Sequence, residues 1–174
     1  TTGGSNVAVG YAMRLNTTGA SNVAIGYNCM DQNVSGVYNV AVGQNALKAN
    51  TTAGNNTAVG TDALKENTTG GYNTAVGYEA LQNNVSGTQN TAVGGFALED
   101  NTAGDNVAVG YVTLAQNTSG PSNTAVGHQS MYLNTTGGYN TAVGRASLDA
   151  NSSGGSNVAV GFEALTTNTT ASNN

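Results

Sequence analysis

The sequence predicts an all-β protein, a parallel β-solenoid (β-roll or β-helix) in which each repeat forms one coil. A core of Asn-x-Ala-Val-Gly, with Ile25 in place of Val in one copy, recurs ten times at a spacing of 17 residues in most units and 16 in two. A repeat of this length is too short for a pair of helices, which needs about 33 residues or more. Each repeat also carries two turn signals, the Gly of the core and a closing Asn-Thr-Thr-Gly type segment.

The repeats fill the chain as a single array, and we number positions 1 to 17 from the first Asn of each unit. Residue Asn174 begins an eleventh unit, so residues 1–174 are predicted to be one repeat domain taken from a longer fibre. The ten units start at Asn6, Asn22, Asn39, Asn56, Asn73, Asn90, Asn106, Asn123, Asn140 and Asn157.

Each unit divides into four elements. Positions 2 to 4 (Val/Thr-Ala-Val) predict a short strand, because β-branched residues favour extended backbone. Gly at position 5 permits a turn that other residues resist. Positions 6 to 10 form a second segment that carries Leu or Met at position 9, and a single helical turn is an alternative for it, as in "YEALQNN" at Tyr78–Asn84. Asn-Thr-Thr-Gly then closes the coil.

Side chains at positions 2 to 4 alternate between the two faces of the strand, and one of these faces must be buried. We expect Val at position 4 to lie in the core with the small residue at position 8 and the Leu or Met at position 9, so that Ala at position 3 points outward. This Ala never varies, whereas position 6 drifts freely. An invariant outward Ala indicates close approach by another chain, which predicts a bundled homo-oligomer with a trimer favoured. The alternative is that Ala fills a tight interior while positions 2 and 4 face a partner.

Two asparagine positions are invariant. Position 1 is predicted to form a stacked structural ladder along the coils, from Asn6 to Asn157. Position 12 allows two interpretations, a second ladder or glycosylation, because nine of its ten copies begin Asn-x-Ser/Thr and only Asn101 breaks the pattern. The possible glycosylation sites are Asn16, Asn33, Asn50, Asn67, Asn84, Asn117, Asn134, Asn151 and Asn168.

The composition argues against several functional classes. Charged residues are 7% of the chain and the net charge is −5, so no basic stripe is present for nucleic acid. No apolar run approaches the roughly 20 residues of a membrane span. Cys29 is the only cysteine, at the small position 8, and His128 is the only histidine, at the drifting position 6. The carboxylates form no repeating pair, so the sequence predicts no enzyme and no catalytic, cofactor-binding or metal-binding residue.

The repeats resemble those of known fibre proteins. "NTAVGYEALQNNVSG" (Asn73–Gly87) is similar to the Asn-Thr-Ala-Val-Gly repeats of phage tail-fibre and related surface-fibre proteins. "NVAIG" (Asn22–Gly26) resembles the head repeats of trimeric autotransporter adhesins. The resemblance implies a trimeric structural fibre for attachment, located extracellularly, on a cell surface or on a virion. Its expected partners are further copies of itself, side by side or end to end, and cell-surface glycans.

The alternative function is a ligand-binding solenoid. Rows of Thr could bind ice, and rows of aromatic residues at positions 6 and 17 could bind a polysaccharide. Interruptions of the Thr rows, at Val34, Val85 and Ala103, argue against ice, which requires a regular array.

Overall fold

The computed structural model describes residues 3–174 and confirms a parallel β-solenoid. Ten three-residue strands form a single parallel sheet in which each strand pairs with the next one along the chain. The described residues contain no helix, so the single helical turn considered for the second segment does not form. The strands are β1 Val7–Val9, β2 Val23–Ile25, β3 Val40–Val42, β4 Thr57–Val59, β5 Thr74–Val76, β6 Thr91–Val93, β7 Val107–Val109, β8 Thr124–Val126, β9 Thr141–Val143 and β10 Val158–Val160.

The sheet is in register along its whole length. Ala58 pairs with Ala75 and Val59 with Val76, and every neighbouring pair of strands repeats this alignment. Each side chain therefore lies over the same position of the adjacent coil. With strands about 4.8 Å apart, ten coils make a rod about 48 Å long.

The second segment continues the inter-coil bonding without forming a strand. The Asn45 amide donates to the Tyr27 carbonyl of the preceding coil at 2.9 Å, while the Leu47 amide donates to the Ala63 carbonyl of the following coil at 3.0 Å. Residues at positions 7 and 9 have positive φ, as Leu47 does at 50°. This left-handed backbone is uncommon outside Gly, Asn and Asp. The bonds to both neighbouring coils hold it in place.

The predicted orientation of the strand is wrong. Ala at position 3 is buried in nine of ten coils, whereas eight of the ten Val and Ile residues at position 4 are at least 36% exposed. The core consists of Ala at position 3, the small residue at position 8 and the Leu or Met at position 9, as in Ala75, Ala80 and Leu81. The coil is so narrow that the strand contributes only a methyl group opposite each Leu. The alternative, with Ala inside and positions 2 and 4 outside, is confirmed for the strand.

Gly at position 5 is required by the packing of successive coils. Gly77 has a φ of 142°, and a Cβ placed on it would lie 2.5 Å from the Gly94 carbonyl oxygen of the next coil. Because that obstacle is backbone, no side-chain movement could relieve the clash. The invariance of this Gly therefore follows from the stacking itself.

Candidate functional surfaces

The predicted Asn ladder at position 1 is present and buried. The Oδ1 atom of Asn22 accepts a hydrogen bond from the backbone amide of Asn39 in the next coil at 2.9 Å. The Nδ2 atom of Asn39 donates to the Ala53 carbonyl at position 15 of its own coil, also at 2.9 Å. Every step from Asn6 to Asn174 makes the first of these bonds. The ladder thus joins adjacent coils, and in every coil except that of Asn106 it also fixes the closing turn.

Position 12 forms a second Asn ladder parallel to the first. Asn134 Nδ2 donates to Asn117 Oδ1 of the preceding coil at 2.8 Å and to the Gly137 carbonyl of its own coil at 2.9 Å. That carbonyl also accepts a hydrogen bond from Nδ2 of Asn123, in the position-1 ladder, at 2.9 Å. The two ladders therefore converge on the position-15 carbonyl and close the coil together.

These contacts leave no place for a sugar on position 12 of the folded coil. Seven of the nine candidate asparagines are 0% exposed, namely Asn33, Asn50, Asn67, Asn84, Asn117, Asn134 and Asn151. The other two, Asn16 and Asn168, lie in the end coils, and their Nδ2 atoms also donate to position-15 carbonyls. A glycan on Nδ2 would have to replace one of these bonds and displace packed atoms. We therefore do not propose glycosylation of these asparagines.

The side-chain bonds of both ladders are disturbed where the coil of residues 90–105 meets its neighbours, although the backbone bonds to the position-1 asparagines continue through it. Asn101 donates to the Ala103 carbonyl at 2.8 Å and does not reach Asn84, whose buried Oδ1 is left without a partner. Asn106 turns back toward Asn101 Oδ1 and the Gly104 carbonyl, both at 3.2 Å. The ladder resumes in the next coil, where Asn117 donates to Asn101 at 2.7 Å.

The hydroxyl side chains of the closing turn fall into two rows with different environments. At position 13, Thr68 Oγ1 donates to the Val85 carbonyl of the next coil at 3.1 Å, and most other Thr or Ser residues at this position bond likewise. At position 14, the side chains point into solvent, and within residues 3–174 none makes a hydrogen bond. This second row consists of Thr18, Ser35, Thr52, Thr69, Ser86, Ser119, Thr136, Ser153 and Thr170.

The outer face of the sheet is flat, regular and without charge. Position 4 supplies a row of Val and Ile, and position 2 supplies a parallel row of Val and Thr. Together the rows form one continuous, mostly apolar strip along the ten strands, and exposed apolar patches of this kind mark interaction sites. The favoured sequence prediction placed the position-4 Val in the core, so this exposed strand face corresponds to the alternative in which positions 2 and 4 point outward.

Aromatic side chains form a shorter row beside this face. Tyr78, Phe96, Tyr111 and His128 follow one another with ring centroids 5.2, 5.8 and 5.8 Å apart. Phe96 is at position 7 and contacts the rings on both sides because position 6 of its coil is Gly95. An adjacent groove of about 290 Å³ is lined by Phe96, Glu99, Asp100, Tyr111, Val112, Ala115, Gln116 and Tyr132.

The Tyr residues of position 17 are isolated by comparison. Tyr38, Tyr72 and Tyr139 are each more than 60% exposed. They occur in three separate coils, with other residue types between them. They form no continuous row.

The reactive groups singled out in the sequence are not brought together. Burial raises the pKa of the Cys29 thiol to about 11, so it is protonated at neutral pH, and its Sγ donates to the Ala41 carbonyl. His128 stacks on Tyr111 at the exposed edge of the aromatic row. Within residues 3–174 no three His, Cys, Asp or Glu side chains are grouped as metal ligands would be. The same residues include no helix of the length and hydropathy needed to cross a membrane.

No family model matches the chain, and no curated protein or solved structure shows significant similarity to it. The resemblance to tail-fibre and adhesin repeats therefore stays a prediction from the repeat motif.

Proposed function

We propose that this chain is a non-enzymatic structural segment of an extracellular, cell-surface or virion-borne attachment fibre. The observation that carries the proposal is that the strand pairing, the buried core and the two Asn ladders repeat from coil to coil along the array. A repeat of this kind supplies length and stiffness, because each coil needs only its neighbours to bury its interior. The low charge and protonated Cys29 suit this passive role.

Electron microscopy tests the fibre role directly. The purified chain should appear as rods about 48 Å long with an axial spacing of about 4.8 Å. Rods longer than this would indicate end-to-end association of the open sheet edges at β1 and β10. Compact particles without the axial spacing, or release of reducing sugar from polysaccharides by the purified chain, would contradict the proposal.

The strand face supports lateral association of copies. Exposed Val and Ile side chains recur along this face from Val9 to Val160, and continuous apolar patches of this kind mark protein–protein interfaces. A second copy fits this surface because its own rows have the same spacing and no charge, which permits dry sheet-on-sheet packing at about 10 Å. One flat face per chain favours a two-fold pair over the trimer implied by the resemblance, since a three-fold bundle requires two contact surfaces on each chain.

Light scattering with matched variants tests this association. The wild-type mass should be 34.6 kDa, twice the 17.3 kDa of one chain. Changing Val76 and Val93 on the strand face to Lys should reduce it to that of one chain. Changing Val34 and Val85 to Lys is the control, because these residues are equally exposed but lie on the closing turns. A wild-type monomer, a wild-type trimer or an unaffected face variant would contradict the paired arrangement.

A polysaccharide-binding solenoid is the second candidate, favoured by the aromatic row and its groove. Aromatic faces stack on sugar rings, and the carboxylates of Glu99 and Asp100 could accept hydrogen bonds from hydroxyl groups. Retention of the chain on immobilised polysaccharide that is lost in Tyr111→Ala and kept in Tyr139→Ala would support this function.

Ice binding has weaker support, because position 2 is Val in some coils and Thr in others. Strong thermal hysteresis would place ice binding above polysaccharide binding.

A further inference from the structure

The hydroxyl row at position 14 is kept in the sequence although the fold makes no use of it. Nine coils contain this position, and all nine have Ser or Thr there. Eight of the nine side chains are exposed, Ser35 is half-buried, and none of their hydroxyls bonds to another group within residues 3–174. Asn, Asp and Gly are also favoured in turns, yet none of them occurs at this position.

The neighbouring row at position 13 shows that folding does not explain this constancy. The position-13 hydroxyls do bond to the next coil, as Thr68 does to Val85, yet two coils replace them with Val34 and Val85. The hydroxyl that contributes a hydrogen bond is therefore dispensable, while the hydroxyl that contributes none is retained. Duplication of the repeat does not account for the difference, since both rows were copied together. A requirement for the exposed hydroxyl itself accounts for it.

We propose that the position-14 hydroxyls are sites of O-linked glycosylation. In the transfer, Oγ attacks the anomeric carbon of an activated sugar, forming the Oγ–C1 bond. The bond from C1 to the diphosphate of the donor breaks, and its electron pair leaves with the diphosphate. The hydroxyl proton passes to a base of the transferase. The donor is a nucleotide-linked or lipid-linked sugar, and the transferase is a separate protein.

The surroundings select a sugar over a phosphate as the attached group. Neighbouring hydroxyls recur at about 4.8 Å, so phosphates carrying a charge of about −1.5 each would repel one another along the row. The four cationic residues, Arg14, Lys48, Lys65 and Arg145, all lie at positions 6 or 10, away from the closing turns. Neutral sugars at the same spacing would not repel one another electrostatically. The Asn-x-Ser/Thr pattern is thus interpreted differently: the buried Asn has a structural role, and the exposed hydroxyl carries the modification.

Mass spectrometry of the protein isolated from its natural source tests the proposal. Fragmentation that preserves side-chain modifications should locate sugar on position-14 residues, and alkaline β-elimination should release it. An amidase specific for N-linked glycans should release none. An unmodified chain, sugar on the position-12 asparagines or equal sugar on position 13 would each overturn the proposal.

Two double variants made in the same source provide a matched comparison. Thr69→Val with Thr136→Val removes two position-14 hydroxyls and should lower the attached mass by two sugar chains. Thr68→Val with Thr135→Val removes two position-13 hydroxyls and should leave the attached mass unchanged, because Val occurs naturally at this position. Equal losses in both variants would contradict the assignment. The outcome is independent of the fibre proposal, since neither pairing nor rod formation enters the measurement.

Discussion

The two 16-residue coils, residues 6–21 and 90–105, are equally short but differ in what the missing residue disrupts. The first lacks position 7, so Ala12 and Met13 follow Tyr11 directly. Its position-12 ladder nevertheless continues, because Asn33 donates a hydrogen bond to Asn16 at 2.9 Å. The second lacks position 14 in its closing turn, and there Asn84 Oδ1 loses its donor. The second segment therefore tolerates a change in length, whereas the closing turn determines whether the ladders meet.

The electrostatic environments of the same two coils also differ, at position 10. In the first, Arg14 makes a bidentate ion pair with Asp31 of the next coil and lies over the Tyr11 ring. In the second, no cationic side chain within residues 3–174 pairs with Glu99, and its pKa is raised by burial and then by the charges of Asp100 and Glu79. Of these two coils, the one with the broken ladder is thus also the one whose position-10 charge is unpaired.

Two deletions within one intact coil, residues 123–139, should reproduce the contrast. Deleting Thr136 removes position 14 and should cost about 2–4 kcal/mol, because a buried Asn oxygen loses its donor and the closing bonds shift. Deleting Gln129 removes position 7 and should cost about 1 kcal/mol, the value of one backbone bond to Tyr111. Urea denaturation measures both. Equal costs would mean that the closing turn is no more sensitive than the second segment.

Restoring the missing residue should repair the broken ladder. Inserting Thr between Thr102 and Ala103 gives the turn its usual length, so that Asn101 can donate to Asn84 Oδ1. We expect a gain of about 1–3 kcal/mol in the free energy of unfolding, the cost of leaving such a buried group unpaired. Inserting Thr after Thr69, in a turn that is already complete, is the control and should destabilise. A loss of stability from the first insertion would show that the ladder is not what limits this coil.

The position-12 asparagine should contribute less to stability beside the break, at Asn84, than within a continuous ladder, at Asn134. Asn134→Ala removes two donated bonds and the bond accepted from Asn151 at 2.8 Å. Asn84→Ala removes only two donated bonds, because its oxygen is already unpaired. The first substitution should be more destabilising by about 1 kcal/mol. Thermal unfolding of the two variants under identical conditions checks the order.

Neutralising Glu99 should have the smallest effect, and the effect should depend on pH. A carboxyl group whose pKa is raised by folding makes the protein less stable as pH rises from its unfolded pKa through its folded pKa. The penalty is therefore complete at neutral pH and absent in acid. Glu99→Gln should raise Tm by at most about 2 °C at pH 7 and leave it unchanged near pH 3, since Glu99 is partly solvated. Glu66→Gln, at an exposed site beside Lys65, is the control and should give no gain at pH 7.

The repeat period, the coil boundaries and the position-1 ladder could be predicted from sequence because each depends on one invariant residue type at one spacing. The orientation of the strand could not, since Val-Ala-Val alternation separates two faces without stating which is inside. Branched residues normally favour the core, but here the narrow coil accepts only Ala opposite Leu81 and its equivalents. Likewise the Asn-x-Ser/Thr pattern could not reveal that its Asn is buried and its hydroxyl is not.

The stacking of each side chain on its own equivalent has a consequence for how such an array changes over generations. An added or lost 17-residue unit meets the same partners as the unit it follows, so no compensating substitution is needed. Asn67–Gly77 and Asn134–Gly144 are identical, so the same segment fits at two different places along the rod. The length of the rod can then be inherited as a variable number of coils, adjustable in steps of about 4.8 Å while the interior stays the same.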